Sequence, residues 1–142
     1  MTEQTWDSDL EPSFAVVVFA IHADGFLVAD IPDRGWCVPS GRLEPGETPT
    51  ETAIRETYEE VGALLLNPRR IGTYTFTAAS GAKSRVPAFI GWVGDYGPLP
   101  AGSESRGVRI FTREELPHNY WLWDALMASV FDYALECADQ TD

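Results

Sequence analysis

Cysteine, histidine and long hydrophobic runs are all scarce in this sequence. The cysteines, Cys37 and Cys137, lie far apart and outside any CxxC pair, and only His22 and His118 could join them. A zinc site needs several such ligands at close spacing, so we expect none here and expect both thiols to be buried. No apolar run reaches the roughly 18 to 20 residues of a membrane-spanning helix, and the acidic first ten residues do not resemble a secretory signal. These absences predict a cytoplasmic protein that does not bind membranes.

Positive charge is also scarce, with 10 Lys and Arg residues against 22 Asp and Glu residues and a formal net charge of -12. Residues 1–11 and 131–142 contain several acids and neither Lys nor Arg. Such acidic ends disfavour non-specific binding of duplex nucleic acid, but they are compatible with a small phosphorylated ligand that brings its own metal ions. We expect the ends, 1–11 and 138–142, to be flexible, and the protein to be a monomer or a homodimer.

At 142 residues, with 44% hydrophobic and 23% charged residues, the chain has the size and composition of one folded domain. Short β-branched and aromatic runs bounded by turn residues predict strands. The predicted strands are residues 14–21, 26–29, 36–38, 70–77, 86–92 and 108–111, and a helical pattern follows at 122–137. With the central helix described next, this order predicts a single α+β domain, 1–142, with a mixed sheet and helices in layers.

Start and stop signals for a helix surround the middle of the chain. Thr48 is a suitable N-cap, Pro49 fits the first helical position, and Glu51 completes a capping box. Gly62 is a suitable stop signal. At about 100° per residue, one face of this helix gathers three acids. They are Glu56, Glu59 and Glu60, opposite a face of Ile54, Thr57, Tyr58 and Val61 that we expect to pack against the sheet.

The three clustered acids have two interpretations. Carboxylates three and four residues apart repel each other and weaken an isolated helix by a few tenths of a kcal/mol per pair, which a solvated acidic face tolerates. Alternatively, three convergent carboxylates supply the hard oxygen ligands that Mg²⁺ or Mn²⁺ prefers, with the coordination completed by water and substrate phosphates. Periodicity alone leaves both interpretations open.

The segment that includes this helix resembles the Nudix box, G-x5-E-x7-R-E-U-x-E-E-x-G-U, where U is a bulky aliphatic residue. The residues at its fixed positions are Gly41, Glu47, Arg55, Glu56, Glu59, Glu60 and Gly62. The box runs from Gly41 to Ala63, and the two U positions hold the smaller Thr57 and Ala63. In the lead-in at residues 36–41, Ser40 stands where the family usually has a second glycine. The chain is identified as a member of the Nudix hydrolase family, which includes MutT-like enzymes.

This resemblance implies the Nudix fold, a mixed sheet sandwiched between helices (α/β/α). It also implies hydrolysis of a pyrophosphate linkage in a nucleoside diphosphate derivative, with Mg²⁺ or Mn²⁺ as cofactor. Glu59 and Glu60 resemble the family's main metal ligands, assisted by the carbonyl of Gly41. Glu56 would bind metal or orient the attacking water, and Arg55 would hold the carboxylates in place.

Two further acids receive roles from the same resemblance. Glu47 would tie the loop to the helix or reach a further metal ion. Many relatives take the general base from a loop outside the box, and Glu104 has a suitable position in chain order. For gripping substrate phosphates, the cations that we predict are Lys83, Arg85 and Arg106, since arginine suits bidentate contact with phosphate.

The substrate is less defined than the reaction. Relatives that act on diadenosine polyphosphates often carry a tyrosine, and those that act on ADP-ribose a proline, about sixteen residues beyond the box. Residues 77–80 contain neither. We therefore expect a nucleoside triphosphate or another small nucleotide as substrate. The alternative is a non-catalytic Nudix-fold module with a nucleotide-binding or regulatory role. Relatives of that kind typically lack glutamates of the box, all of which are present here.

Overall fold

The computed structural model describes residues 2–5, 15–23, 25–77, 81 and 83–139. Its strands are β1 (Thr2–Thr5), β2 (Ala15–His22), β3 (Gly25–Ile31), β4 (Gly35–Cys37), β5 (Ser40–Arg42), β6 (Leu66–Thr77), β7 (Lys83–Trp92) and β8 (Val108–Phe111). Its helices are α1 (Pro49–Val61), α2 (Leu116–Asn119) and α3 (Ala125–Asp139). The predicted strands and the two longer helices are all present, with small shifts at their ends.

The strands form one mixed sheet in the order β1-β6-β7-β2-β3-β4, with β5 added to β2 and β8 added to β3. The central pair β2 and β7 is parallel, whereas the other pairs are antiparallel. Short β5 follows directly after Pro39 and was not predicted, since its sequence Ser-Gly-Arg has none of the β-branched or aromatic residues that indicate a strand. It brings Gly41 opposite Val16 of β2.

Two hydrophobic clusters cover the two faces of this sheet. Alternate residues of β2 point to opposite faces, so Val16 and Val18 join the cluster that contains α1, whereas Phe19 joins the cluster that contains α3. This two-sided burial confirms the prediction for the first long strand and the layered α+β architecture. On the α3 side, the ring of Phe131 packs edge-on against Phe19 at 5.1 Å and against Phe26 at 4.9 Å.

The remaining fold predictions concern the two cysteines, membrane-spanning helices and the ends of the chain. Cys37 and Cys137 are both buried free thiols, as predicted. None of the helices in the described ranges combines the length and hydrophobicity that a membrane crossing requires. At the chain ends, β1 pairs with β6, and α3 continues to Asp139. Residues 6–14 and 140–142 lie outside the described residues, so the flexibility of the ends and the single-domain boundaries stay predictions.

Candidate active site

Helix α1 has the ends that its sequence predicts. The Thr48 hydroxyl accepts a hydrogen bond from the Glu51 N–H at 3.1 Å, and the Glu51 carboxylate accepts one from the Thr48 N–H at 2.8 Å. Gly62 ends the helix in the left-handed region, at φ 69°. A side chain there would also meet the carbonyl oxygens of Gly97 and Pro98 at 2.8 Å. Both the φ angle and the close approach therefore require glycine at position 62.

The guanidinium of Arg55 connects the loop before α1 to the acids of the helix through hydrogen bonds. Its Nε donates to Glu47 Oε2 at 2.7 Å, and its Nη2 donates to Glu47 Oε1 at 2.9 Å, which is a bidentate pair. Nη1 donates to Glu59 Oε1 at 3.1 Å and to Glu56 Oε1 at 3.4 Å, and Nη2 also donates to the Arg42 carbonyl at 2.8 Å. These contacts hold two carboxylates of the cluster in defined positions and offset part of their repulsion.

Glu47 is fully engaged in anchoring the loop. Besides Arg55, its Oε1 accepts hydrogen bonds from the Thr52 hydroxyl at 2.6 Å and from the Glu44 N–H at 3.0 Å. The hydrogen bonds from Arg55 are the main reason why the pKa of Glu47 falls to about 2. Glu47 lines a shallow depression with Glu44, Pro45, Gly46 and Glu51, which is separate from the cavity lined by the other acids of the box. Of its two expected roles, the geometry favours tying the loop to the helix.

The other acids of the box line one cavity of about 620 Å³, here called the acidic cavity. It is lined by Ile31, Arg34, Ser40, Gly41, Arg55, Glu56, Tyr58, Glu59, Glu60, Pro100, Ala101, Gly102, Ser103 and Glu104. The cavity thus brings together every predicted metal ligand except Glu47. It also contains Glu104, whose distance from the box along the chain gave no direct sign of proximity.

The side chain of Glu56 extends from α1 towards Gly41 of β5, and only 8% of the residue's surface is exposed. A Cβ atom on Gly41 would overlap the Glu56 carboxylate, so this side chain fits only because position 41 is glycine. The helical face predicted to pack was partly wrong, since Tyr58 is 53% exposed whereas Glu56 is buried. The reason is that α1 contacts β5 as well as the main sheet, and helical periodicity carries no information about a second contact.

The two small residues in the bulky aliphatic positions leave the packing of α1 intact. Thr57 is completely buried, and its hydroxyl donates to the Ala53 carbonyl at 2.7 Å within the helix. Ala63 is also buried, at 2% exposure, and forms an antiparallel bridge with Tyr96. The smaller side chains are therefore accommodated in the core cluster on this face of the sheet.

Burial and mutual repulsion make two acids of the cavity, Glu56 and Glu60, hard to ionise. Burial is the main cause that raises the pKa of Glu56 to about 8, helped by a hydrogen bond with Glu59 and by the charge of Glu60. Burial also raises the pKa of Glu60 to about 7, although its Oε1 accepts a hydrogen bond from the Ser40 N–H at 3.1 Å. Buried carboxylates with raised pKa values are typical of functional sites, and a cation would relieve the cost of ionising them.

A loop at residues 100–107 closes the far side of the acidic cavity. The Ser103 hydroxyl donates to the Glu59 carbonyl at 2.6 Å, which docks the loop on α1. The Ser105 N–H donates back to the Ser103 hydroxyl at 3.2 Å, and the Ser105 hydroxyl donates to the Gly107 carbonyl at 3.0 Å. Glu104 lies between these two anchored serines. Its exposed side chain lines the same cavity as the helix acids.

A second cavity of about 320 Å³, here called the apolar cavity, adjoins the first. It is lined by Ala15, Val16, Val17, Phe19, Arg34, Cys37, Val38, Ser40, Gly41, Arg42, Val86, Tyr120, Trp121, Leu122, Asp124, Leu126 and Met127. The residues that line both cavities are Arg34, Ser40 and Gly41. The Tyr120 hydroxyl accepts a hydrogen bond from the Val38 N–H at 3.2 Å, which fixes one wall. An acidic and an apolar compartment therefore meet at the start of the box.

Of the cations predicted to grip phosphate, Arg85 and Arg106 line neither cavity. Arg106 forms an exposed ion pair with Asp30 at 3.4 Å. Arg85 lies exposed on β7 and lines neither cavity. Lys83 is the first residue of β7, and its side chain lies outside the described part. Arg34, which we did not predict, lines both cavities; its position in the turn just before residues 36–41 was the available signal.

A model of the NUDIX domain family matches residues 10–131 of the chain. The chain therefore belongs to the Nudix hydrolase family, as the box predicted. It is 41% identical over 59 residues to a protein of Bacillus subtilis named as an uncharacterized Nudix hydrolase, YvcI, covering 41% of this chain and 37% of that protein. It is 40% identical over 48 residues to an 8-oxo-(d)GTP phosphatase of Mycolicibacterium smegmatis, covering 34% and 15%. An RNA pyrophosphohydrolase of Aliivibrio fischeri is 37% identical over 60 residues, covering 42% and 35%.

These matches span less than two fifths of the length of each of these curated relatives. Solved structures match over more of the chain. The Bacillus subtilis pyrophosphohydrolase BsRppH superimposes with a TM-score of 0.79 at 22% identity, covering 99% of this chain and 90% of that one. A Nudix hydrolase from Nitrosomonas europaea gives 0.71 at 26% identity, covering 89% and 90%. The Nudix fold predicted from the box is thus confirmed.

Proposed function

We propose that this protein hydrolyses the pyrophosphate linkage of a small nucleoside diphosphate derivative, with Mg²⁺ or Mn²⁺ as cofactor. The observation that carries the proposal is the acidic cavity. There the side chains of Glu56, Glu59, Glu60 and Glu104 line one space of about 620 Å³, which is large enough for a phosphate chain. A solvated acidic face would not need one acid buried and another partly buried at a cost in ionisation, as Glu56 and Glu60 are.

The donor set fits a hard divalent cation. Carboxylate oxygens suit Mg²⁺ and Mn²⁺, and both ions keep water and substrate phosphate among their ligands. Among the described residues, no group of three His, Cys, Asp or Glu side chains is arranged to hold an ion by itself. Glu59 and Glu60, with the Gly41 carbonyl, would therefore hold the ion jointly with the substrate. When bound, it would neutralise phosphate charge, polarise phosphorus and lower the pKa of water.

The protein's own groups would do the remaining work. Arg55 orients Glu56 and Glu59 through its hydrogen bonds, so these carboxylates need little reorganisation during the reaction. Glu104 is our candidate general base, with its carboxylate accepting the proton of the attacking water. Its loop is held to α1 by Ser103, which supports a defined position opposite the helix acids. Glu56 would hold an ion or orient that water.

The adjoining apolar cavity supports a nucleoside as the organic part of the substrate. Its lining includes Trp121, Tyr120 and Met127, which offer aromatic and polarisable surface to a base. Two relatives are named for nucleotide reactions, one for 8-oxo-(d)GTP and one for RNA. The net charge of -12 disfavours long RNA, because the polyanion would be repelled. We therefore propose a mononucleotide, with nucleoside triphosphates as the first class to test.

Chromatographic measurement of the hydrolysis products from a substrate panel, with Mg²⁺ and with a chelator, tests the proposal, because cleavage of the linkage gives a nucleoside monophosphate plus pyrophosphate or a second phosphate ester. The panel contains nucleoside and deoxynucleoside triphosphates, 8-oxo-dGTP, dinucleoside polyphosphates, ADP-ribose, sugar nucleotides and a short 5′-triphosphate RNA. We expect Mg²⁺-dependent turnover of at least one mononucleotide. Nucleotide binding without turnover on any of them would instead support the non-catalytic module. Preference for the RNA would overturn the choice of a mononucleotide.

Divalent metal is expected to stabilise the fold in a pH-dependent way. The pKa values of Glu56 and Glu60 rise on folding from 4.5 to about 8 and about 7. These groups therefore stabilise the folded state below about pH 4.5, and the metal-free protein loses that contribution as pH rises through 7 to 8. Millimolar Mg²⁺ should raise the Tm most at about pH 8 and least near about pH 5, where protons compete with the ion.

Thermal melts at these pH values, with MgCl₂ or with NaCl at matched ionic strength, measure this effect. Sodium should not reproduce it, because general screening does not depend on a set of convergent oxygen ligands. Equal stabilisation by the two salts would mean that Glu56, Glu59 and Glu60 form only a solvated acidic face.

A further inference from the structure

Arg34 lies where the acidic and apolar cavities meet. It follows Asp33, which adopts a left-handed φ of 68°, in the tight turn between β3 and β4. Its N–H donates to the Ile31 carbonyl at 3.1 Å, so the turn is closed by a backbone hydrogen bond. The exposed side chain lines both cavities. Of the residues shared by the two cavities, it alone carries a charge.

The guanidinium of Arg34 is not held in a direct ion pair by any carboxylate of the described residues. Within the described part of the chain, no ion pair includes Arg34, whereas Arg55 contacts several glutamates. Its positive charge acts on the thiol of Cys37 at the border of the apolar cavity and on the carboxylate of Glu60 in the acidic cavity. Since a guanidinium has five N–H donors in a planar fork, most of them remain available. Arg34 is therefore a cation that lies beside an acidic site and, among the described residues, forms no direct ion pair there.

A ligand that spans the two cavities must pass between them at this point. If its pyrophosphate occupies the acidic cavity and its nucleoside the apolar one, the phosphate attached to the nucleoside lies at the shared border. The other shared residues contribute less there, because the Ser40 N–H already donates to Glu60 and Gly41 has no side chain. A cation at this border would also offset the repulsion between phosphate and the surrounding glutamates.

We propose that Arg34 binds the phosphate that joins the nucleoside to the scissile linkage, through paired N–H donors. This assignment rests on the proposed function, and it names a binding residue outside the box. Paired contacts between arginine and phosphate oxygens are strong and directional, so Arg34 orients the substrate across the two cavities. The same contact distinguishes a nucleotide from a free nucleoside.

Equilibrium binding tests this role without any turnover. Isothermal titration in Mg²⁺ buffer compares AMP and GMP with adenosine and guanosine, on the wild type and on Arg34→Gln. Monophosphates contain no pyrophosphate bond, so they stay intact whether or not the protein is an enzyme. The wild type should bind a monophosphate at least about tenfold more tightly than its nucleoside, the scale of a hydrogen bond to a charged group. Arg34→Gln should remove that preference and leave nucleoside affinity within about twofold.

Arg109→Gln is the matched control, because this exposed arginine on β8 lines neither cavity and stacks on Trp36. The Arg109→Gln variant loses the same positive charge, and its affinities for the monophosphate and for the nucleoside should stay at wild-type values. Arg34→Lys should recover part of the preference, since lysine keeps the charge without the fork. Equal loss of monophosphate and nucleoside affinity in Arg34→Gln, or no loss of either, would overturn the assignment. Absence of turnover on the substrate panel, with the preference for monophosphates intact, would overturn the enzyme proposal and leave the assignment of Arg34 standing.

Discussion

Glu60→Gln is expected to lower turnover by at least about a hundredfold, the scale of losing one preorganised electrostatic stabiliser. Glutamine has the same shape, and its side-chain oxygen can still accept the hydrogen bond that the Ser40 N–H donates to Glu60 at 3.1 Å. The change therefore removes one negative charge and little else. Initial rates at saturating Mg²⁺, on whichever panel nucleotide the wild type hydrolyses, measure the loss.

Stability should move in the opposite direction to activity. The pKa of Glu60 is raised to about 7, mainly by burial, so its ionised form destabilises the metal-free protein above that pH. The metal-free Glu60→Gln protein should melt at or above the wild-type Tm at about pH 8, and Mg²⁺ should stabilise it less. Glu114→Gln, an exposed acid outside both cavities, serves as the control with unchanged rate and Tm. Near-normal rates for Glu60→Gln would remove Glu60 from the catalytic machinery.

Gly41→Ala should lower turnover by a factor similar to that of Glu60→Gln, for a steric reason. The new Cβ would overlap the carboxylate of Glu56, which is the mobile end of a side chain rather than backbone. We expect the fold to survive and the carboxylate to be displaced from its contacts with Arg55 and Glu59. Turnover should fall about a hundredfold, since Glu56 leaves the productive geometry, while the Tm changes by only a few degrees.

Gly94→Ala provides the matched control, because a Cβ at position 94 would meet nothing within 4 Å. It should keep wild-type turnover and Tm. The double variant Gly41→Ala with Glu56→Gln should be no slower than Gly41→Ala alone, because both changes act through the same carboxylate. Full activity of Gly41→Ala would show that the position of Glu56 is unimportant for the reaction.

Several features of this protein could be predicted from sequence because they depend on residues close together in the chain. The ends of α1 are local, set by hydrogen bonds between Thr48 and Glu51 and by the left-handed conformation of Gly62. The strand β2 was predictable for a related reason, since its continuous apolar residues indicate burial on both faces. The box itself is local, because three of its acids share one helix and Glu47 lies just before it. The family followed from that spacing.

Other features depend on residues that are distant in sequence, and no local pattern encodes them. Burial of Glu56 requires β5 to pack beside α1 with a glycine at position 41. The approach of Glu104 to the helix acids requires the loop to dock through Ser103, 44 residues away from its partner Glu59. Which arginine lines the candidate site could not be predicted either, because no local sequence pattern distinguishes one loop cation from another.

The sequence by itself therefore determined the central helix, the class of the fold and the acids of the candidate metal site. Short-range hydrogen bonding and periodicity are sufficient for these. Only the tertiary structure decided that Glu47 anchors the loop and that Arg34, rather than Arg106, lines the candidate site. Burial and proximity arise from packing between segments far apart in the chain. They set the electrostatic environment of each side chain, and with it the chemistry that each can perform.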